Sequence, residues 1–237
     1  MFNSTFPIYG LILTISIVLG IVLYYRQLKE SSLNDREKVG LIIYCSLGIV
    51  IVSKFVTYLL YVLPNKGEFD FASIPYSSLG AVIGVILAMG LFSIQFKKSF
   101  LDLLSRIFVV MPIMYGISKI GCFIAGCCYG IPYSGPLSIT YNYSLSAPKG
   151  ISLFPVQLME SLSFIGIYLI LLRNSKNIYY KAGMAVVLSS IFKFIFDFLR
   201  NSHIGIIISL NQIICIIFFI IGMFILIKYK NSKIVCK

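Results

Sequence analysis

The sequence predicts an all-α integral membrane protein with about seven transmembrane helices, its N-terminus outside and its C-terminus cytoplasmic. Hydrophobic residues make up 59% of the 237 positions and charged residues only 12%, about half the charged fraction typical of soluble domains. So few charges leave a water-soluble fold of this size unable to cover its surface, whereas a bilayer accepts helices that are apolar all round. The apolar residues also fall into runs long enough to cross a hydrocarbon core. Finally, Lys and Arg alternate between successive loops, as expected where basic loops stay in the cytoplasm.

The runs lie at about 7–25, 40–63, 78–95, 102–120, 155–172, 182–200 and 205–228. The first lacks a basic leader and a small-residue cleavage site, so it reads as a retained helix. No polar stretch is long enough for a second core, so residues 1–237 are read as a single polytopic membrane domain. The odd-numbered loops and the tail hold fourteen Lys and Arg residues, including Arg26, Lys97, Arg173 and Lys230, against four in the even-numbered loops, Lys66, Lys119, Lys149 and Arg200. This asymmetry sets the orientation. It also assigns the net charge of +12 to topology and attraction to anionic membrane lipids rather than to nucleic acid.

The longest outer loop spans about 118–154, and a loop of this length is usually functional or disordered. It opens with S-K-I-G-C-F-I-A-G-C-C-Y-G, Ser118 to Gly130. Gly121, Gly126 and Gly130 let backbone pack closely or present N–H groups to an anion, and Lys119 adds a cation beside them. Interleaved tyrosines, Tyr129 to Tyr143, favour order at a membrane interface. Of the six cysteines, Cys45 and Cys215 lie in apolar runs, Cys236 is in the tail, and only Cys122, Cys127 and Cys128 cluster. Adjacent cysteines lack the gap of a zinc knuckle, and no histidine lies near them in sequence. Neither a metal site nor a cofactor is predicted.

Charges inside spans are expensive and normally face the bundle interior or a wet cavity. Lys193, Asp197 and Arg200, in K-F-I-F-D-F-L-R, share one helix face by their spacing. Two basic groups and one acid suit an anionic headgroup, with Asp197 bracing the bases; they also suit a ladder that locks two helices together. Glu160 and Gln157 lie one turn apart in F-P-V-Q-L-M-E. Glu160 there orients a cation, acts as a base, or simply answers the helix dipole. Lys54 sits mid-span and reads as a snorkelling or paired lysine. His203 reads as a solvated loop histidine.

These blocks, in this order, resemble the prolipoprotein diacylglyceryl transferase family. The glycine block, the F-P-V-Q-L-M-E segment, the K-F-I-F-D-F-L-R helix and the later Gln212 carry the resemblance, together with I-Y-G-L, Ile8 to Leu11. The resemblance implies a multi-pass enzyme of the bacterial cell membrane, without a cofactor. It implies transfer of a diacylglyceryl group from phosphatidylglycerol to the lipobox cysteine of a prolipoprotein signal peptide. On the matching positions it implies Arg200, Lys119, Glu160 and Tyr9 as catalytic groups. It implies Gly121, Gly126, Gly130, Gln157, Lys193, Asp197 and Gln212 as substrate-binding ones. The chain departs from the family pattern at Lys119, in place of arginine, at Cys122 and Ala125, in place of asparagines, and at Cys127, in place of an acid. Lys193 and Asp197 replace arginine and glutamate, and Phe154 replaces a histidine. Ser77-Ser78-Leu79-Gly80 is all that remains of a glycine pair, and a histidine that many members carry in that block is absent. Three other readings stay open on these departures: a same-fold transferase with another acceptor, a lipid-binding accessory protein without catalysis, and a transporter.

Overall fold

The computed structural model describes residues 5–63, 77–144, 146–174, 176–205 and 207–229. They form α1 (Thr5–Leu28), α2 (Asp35–Thr57), α3 (Ser78–Phe96), α4 (Phe100–Ala125), α5 (Val156–Arg173), α6 (Ile178–Phe198) and α7 (Leu210–Tyr229). A two-stranded antiparallel pair, β1 (Ile139–Thr140) and β2 (Ser152–Leu153), lies between α4 and α5. Among the described residues five helices, α1, α2, α4, α5 and α7, are long and apolar enough to cross a membrane. This fits a multi-pass membrane protein. The α3 stretch from Gly80 is shorter, and α6 carries Lys181, Lys193 and Asp197.

Each apolar run corresponds to a helix, but several ends move for local reasons. Asn34 and Glu37 form a reciprocal capping box, so α2 starts at Asp35. Its far end winds into a π turn, Tyr58–Val62. Helix α4 continues to Ala125, so Ser118–Ala125 is helix rather than loop. At the start of α7, Ser209 and Gln212 cap each other: Gln212 N–H donates to Ser209 Oγ (3.1 Å) and Ser209 N–H to Gln212 Oε1 (2.9 Å). The helix therefore begins at Leu210 instead of 205.

The chain divides into two compact units, Tyr25–Leu104, and Met1–Tyr24 with Ser105–Lys237. Within the smaller, α2 and α3 cross on glycine. A Cβ on Gly84 would lie 2.2 Å from the Gly48 carbonyl oxygen, a backbone approach that small residues permit between membrane helices. Ser53 Oγ donates to the Ser77 carbonyl at 2.9 Å, and Lys98 pairs with Glu37 at 2.9 Å. Lys54 is buried.

In the larger unit the same device recurs. Gly116 of α4 faces Ile165 and the Ser161 carbonyl of α5, and Gly222 of α7 faces Val186 and Val187 of α6. Ser16 Oγ of α1 donates to the Met114 carbonyl of α4 at 2.7 Å. Val109, Ile167, Leu171, Ala182 and Ala185 form a buried core between α4, α5 and α6. Leu11, Ile15, Val18 and Val22 of α1 and Ile213, Ile220, Phe224 and Ile227 of α7 remain exposed, which suits lipid rather than water.

Candidate active site

The site lies within the larger unit, where α4, α5, α6 and the segment just after α6 bring four of the expected residues together. Glu160 is fully buried and meets three cations. Arg200 Nη2 donates to both of its carboxylate oxygens at 2.7 Å, Lys193 Nζ lies 3.0 Å from Oε1 and Lys119 Nζ 3.2 Å from Oε2. Tyr115 completes the cluster: its hydroxyl donates to Glu160 Oε1 at 3.2 Å and accepts from Lys193. The Lys119 ammonium also lies over the Tyr115 ring, 4.9 Å from its centre, a cation–π arrangement, whereas Lys193 sits at the hydroxyl end of the ring. One acid against three bases leaves two formal positive charges in a desolvated place, the composition of an anion site. Arg200 Nε is buried with no protein partner among the described residues, so the cluster retains a donor for a ligand.

Arg200 owes its place to backbone pairing rather than to its helix, because α6 ends at Phe198. Gly130 and Arg200 form an antiparallel bridge. Ile131 N–H donates to the Leu199 carbonyl at 3.0 Å, Asn201 N–H to Tyr129 at 3.2 Å, and Phe154 N–H to Ile131 at 3.0 Å. Residues 129–132 thus run between the end of α6 and the entry to α5. A Cβ on Gly130 would lie 2.3 Å from the Phe154 carbonyl oxygen, whereas one on Gly121 meets only Tyr9 and Ile12 at ordinary contact distance. Gly130→Ala is therefore expected to lower stability by about 1–3 kcal/mol, and Gly121→Ala by less than about 0.5 kcal/mol, in thermal melts of the reconstituted protein. Equal melting temperatures for the two variants would refute the close approach.

The remaining expected residues divide. Tyr9 packs on Gly121 and lies within electrostatic range of Lys119 and of Cys122, Cys127 and Cys128. Gln157 Nε2 donates to the Cys127 carbonyl at 2.9 Å and holds the glycine loop. Gly126 adopts φ +67°, with Ser144 against it. Asp197 does not brace Lys193 and Arg200: its carboxylate accepts from Ser209 Oγ and from Asn211 Nδ2 (3.3 Å) instead. It ties α6 to the start of α7, and Gln212 belongs to that cap, leaving its buried Nε2 without a protein partner among the described residues. His203 is not solvated. The 3-10 turn Asn201–His203 folds it under Phe198, at 4.8 Å between ring centres, with Nδ1 3.6 Å from Asp197. Tyr115 has one sequence signal, its place a turn before Lys119 on the same helix face. Burial pushes the Tyr141 phenol up to about 12, and its hydroxyl donates to the Phe123 carbonyl at 2.9 Å.

Comparison with known proteins decides the family. The prolipoprotein diacylglyceryl transferase family model matches residues 2–228. The chain belongs to the prolipoprotein diacylglyceryl transferase family. Among curated relatives, phosphatidylglycerol–prolipoprotein diacylglyceryl transferase 2 of Clostridium perfringens is 26% identical, over 95% of this chain and 91% of its own. The Clostridium tetani transferase is 28% identical over 92% of this chain and 90% of its own. That of Finegoldia magna is 27% identical over 95% and 92%.

Proposed function

We propose that this protein transfers the diacylglyceryl group of phosphatidylglycerol to the lipobox cysteine thiol of a prolipoprotein, releasing glycerol phosphate. The observation that carries the reading is the buried group of three cations on one carboxylate, in a member of this family. In the reaction the thiolate attacks the glyceryl carbon that bears the phosphate, a C–S bond forms as the C–O bond breaks, and the electron pair leaves on the phosphate. The diester's one negative charge becomes two on the departing monoester, and Arg200, Lys119 and Lys193 stabilise that growing charge. Glu160 holds the three cations in register. Its carboxylate is already shared among them and Tyr115, so it organises the site rather than taking the thiol proton. Gln157, Gly126 and Gly130 fix the loop against which Arg200 is paired, and Tyr9 closes the side toward α1. Asp197 and Gln212 set the α6–α7 corner that borders the cations.

The proposal includes one membrane domain over residues 1–237, seven spans, an outer N-terminus and a place in the bacterial cell membrane. The uneven distribution of Lys and Arg and the outward apolar faces of α1 and α7 support it.

The test is the purified protein in phosphatidylglycerol bilayers with a lipobox peptide. The expected result is a peptide mass gain of one diacylglyceryl group with stoichiometric glycerol phosphate, and no gain when serine replaces the peptide's cysteine. A folded protein that leaves several lipobox peptides unmodified would instead favour a same-fold transferase with another acceptor.

A further inference from the structure

Three sulfurs gather beside the cation cluster, although sequence spacing spoke against it. Cys122 lies in the last turn of α4, and the chain then reverses. Gly126 N–H donates to the Phe123 carbonyl (3.2 Å) and Cys127 N–H to the Cys122 carbonyl (3.1 Å), the two bonds of a Schellman ending. The reversal returns Cys127 over Cys122. Cys128 takes φ 54°, a left-handed conformation that costs a residue with a side chain about 1 kcal/mol or more. Strain of this kind persists where the surroundings impose it and is common at functional sites. As a result the Cys122, Cys127 and Cys128 sulfurs all lie within 4.8 Å of one another.

We propose that Cys122, Cys127 and Cys128 hold a zinc-type divalent cation whose open fourth position takes the acceptor thiol. A tetrahedral zinc with bonds of about 2.3 Å places its sulfurs roughly 3.8 Å apart, so the cluster needs only small side-chain adjustments. Three protein ligands with a fourth position free is the pattern of a catalytic rather than a structural zinc site. Charge agrees: three thiolates and a dication carry one net negative charge, and Lys119 and Arg200 lie within electrostatic range of Cys128. The cluster is also accessible: Cys128 is exposed, and Cys122 and Cys127 are partly so. Gln157 on the Cys127 carbonyl and Tyr141 on the Phe123 carbonyl hold the turn from outside, as a preorganised site requires.

The inference rests on the proposed transfer and supplies the thiolate that the reaction needs. When the acceptor thiol binds the metal, its proton passes to solvent. The bound sulfur keeps its electron pair and attacks the glyceryl carbon, the C–O bond breaks toward the phosphate, and the metal's oxidation state does not change. The chain lacks the family histidine, and no side-chain base is required in this scheme.

Full-length protein, reconstituted and reduced, is equilibrated with zinc and then with cobalt. The expected result is about one zinc per chain and, with cobalt, the intense visible bands of tetrahedral thiolate coordination. A lipobox peptide should strengthen the sulfur-to-cobalt band and its serine analogue should not. Cys122→Ser, Cys127→Ser and Cys128→Ser, each checked for an unchanged melting profile, should each lower metal affinity by about tenfold or more. Equal metal content in wild type and the triple serine variant would overturn the site, as would a Cys127–Cys128 disulfide in freshly isolated protein. A cobalt spectrum indifferent to the peptide thiol would overturn the acceptor's place on the metal. Chelated wild type that still transfers at full rate overturns the metal's role while the transferase reading stands. A metal-loaded protein that binds the thiol but never transfers overturns the transferase reading alone.

Discussion

Arg200→Ala is expected to lower diacylglyceryl transfer by at least about 10²–10³-fold while the protein still inserts and melts cooperatively. Arg200 touches both oxygens of Glu160 and holds a buried Nε with no protein partner among the described residues. That nitrogen gives Arg200 a donor to spare for the leaving phosphate. Its loss leaves Glu160 with Lys119 and Lys193, so the acid stays paired and the fold should survive. Arg200→Lys restores the charge but not the planar set of donors, and should recover only part of the rate. The readout is peptide mass and glycerol phosphate release, with the melting temperature measured on the same sample. Undiminished turnover by the alanine variant would remove Arg200 from the chemistry.

Glu160→Gln should damage stability more than Arg200→Ala does. It leaves Lys119, Lys193 and Arg200 gathered around a neutral amide in a desolvated place. Unpairing buried charge costs about 3–5 kcal/mol, enough to lower the melting temperature by many degrees. Glu160→Asp keeps the charge one methylene short and should fall between. The check is a thermal melt in bilayers at low and high salt. A glutamine variant as stable as wild type would mean that the cations rearrange into water, and that the buried cluster is weaker than its distances suggest.

The sequence displayed the helices well because long apolar runs admit few alternatives in a bilayer. It also displayed Lys193, Arg200 and Glu160, since a charge within or beside a long apolar run stands out. What it hid depends on chain reversal. Asp197 shares a periodic face with Lys193 and Arg200, yet helix α6 ends at Phe198 and the turn after it carries Arg200 toward Gly130 while Asp197 is taken up by the cap of α7. His203 reads as loop and is folded under Phe198 by a three-residue turn. Tyr115 looks like one more aromatic in an apolar helix until Lys119 and Lys193 are seen gathered around it. The cysteine cluster depends on a helix ending whose geometry, not spacing, brings Cys127 back to Cys122.

The two uncompensated positive charges around Glu160 have a consequence for turnover. A phosphodiester lipid brings one negative charge and neutralises half of the excess, whereas the released monoester, as a dianion, neutralises all of it. The site should therefore grip its spent headgroup more tightly than its incoming lipid. Catalysis and product inhibition then share one origin, and the slow step at high glycerol phosphate becomes escape to water. A zwitterionic lipid would bring an ammonium group toward the same cations, so charge alone gives the site a preference among membrane lipids before any contact with the acyl chains.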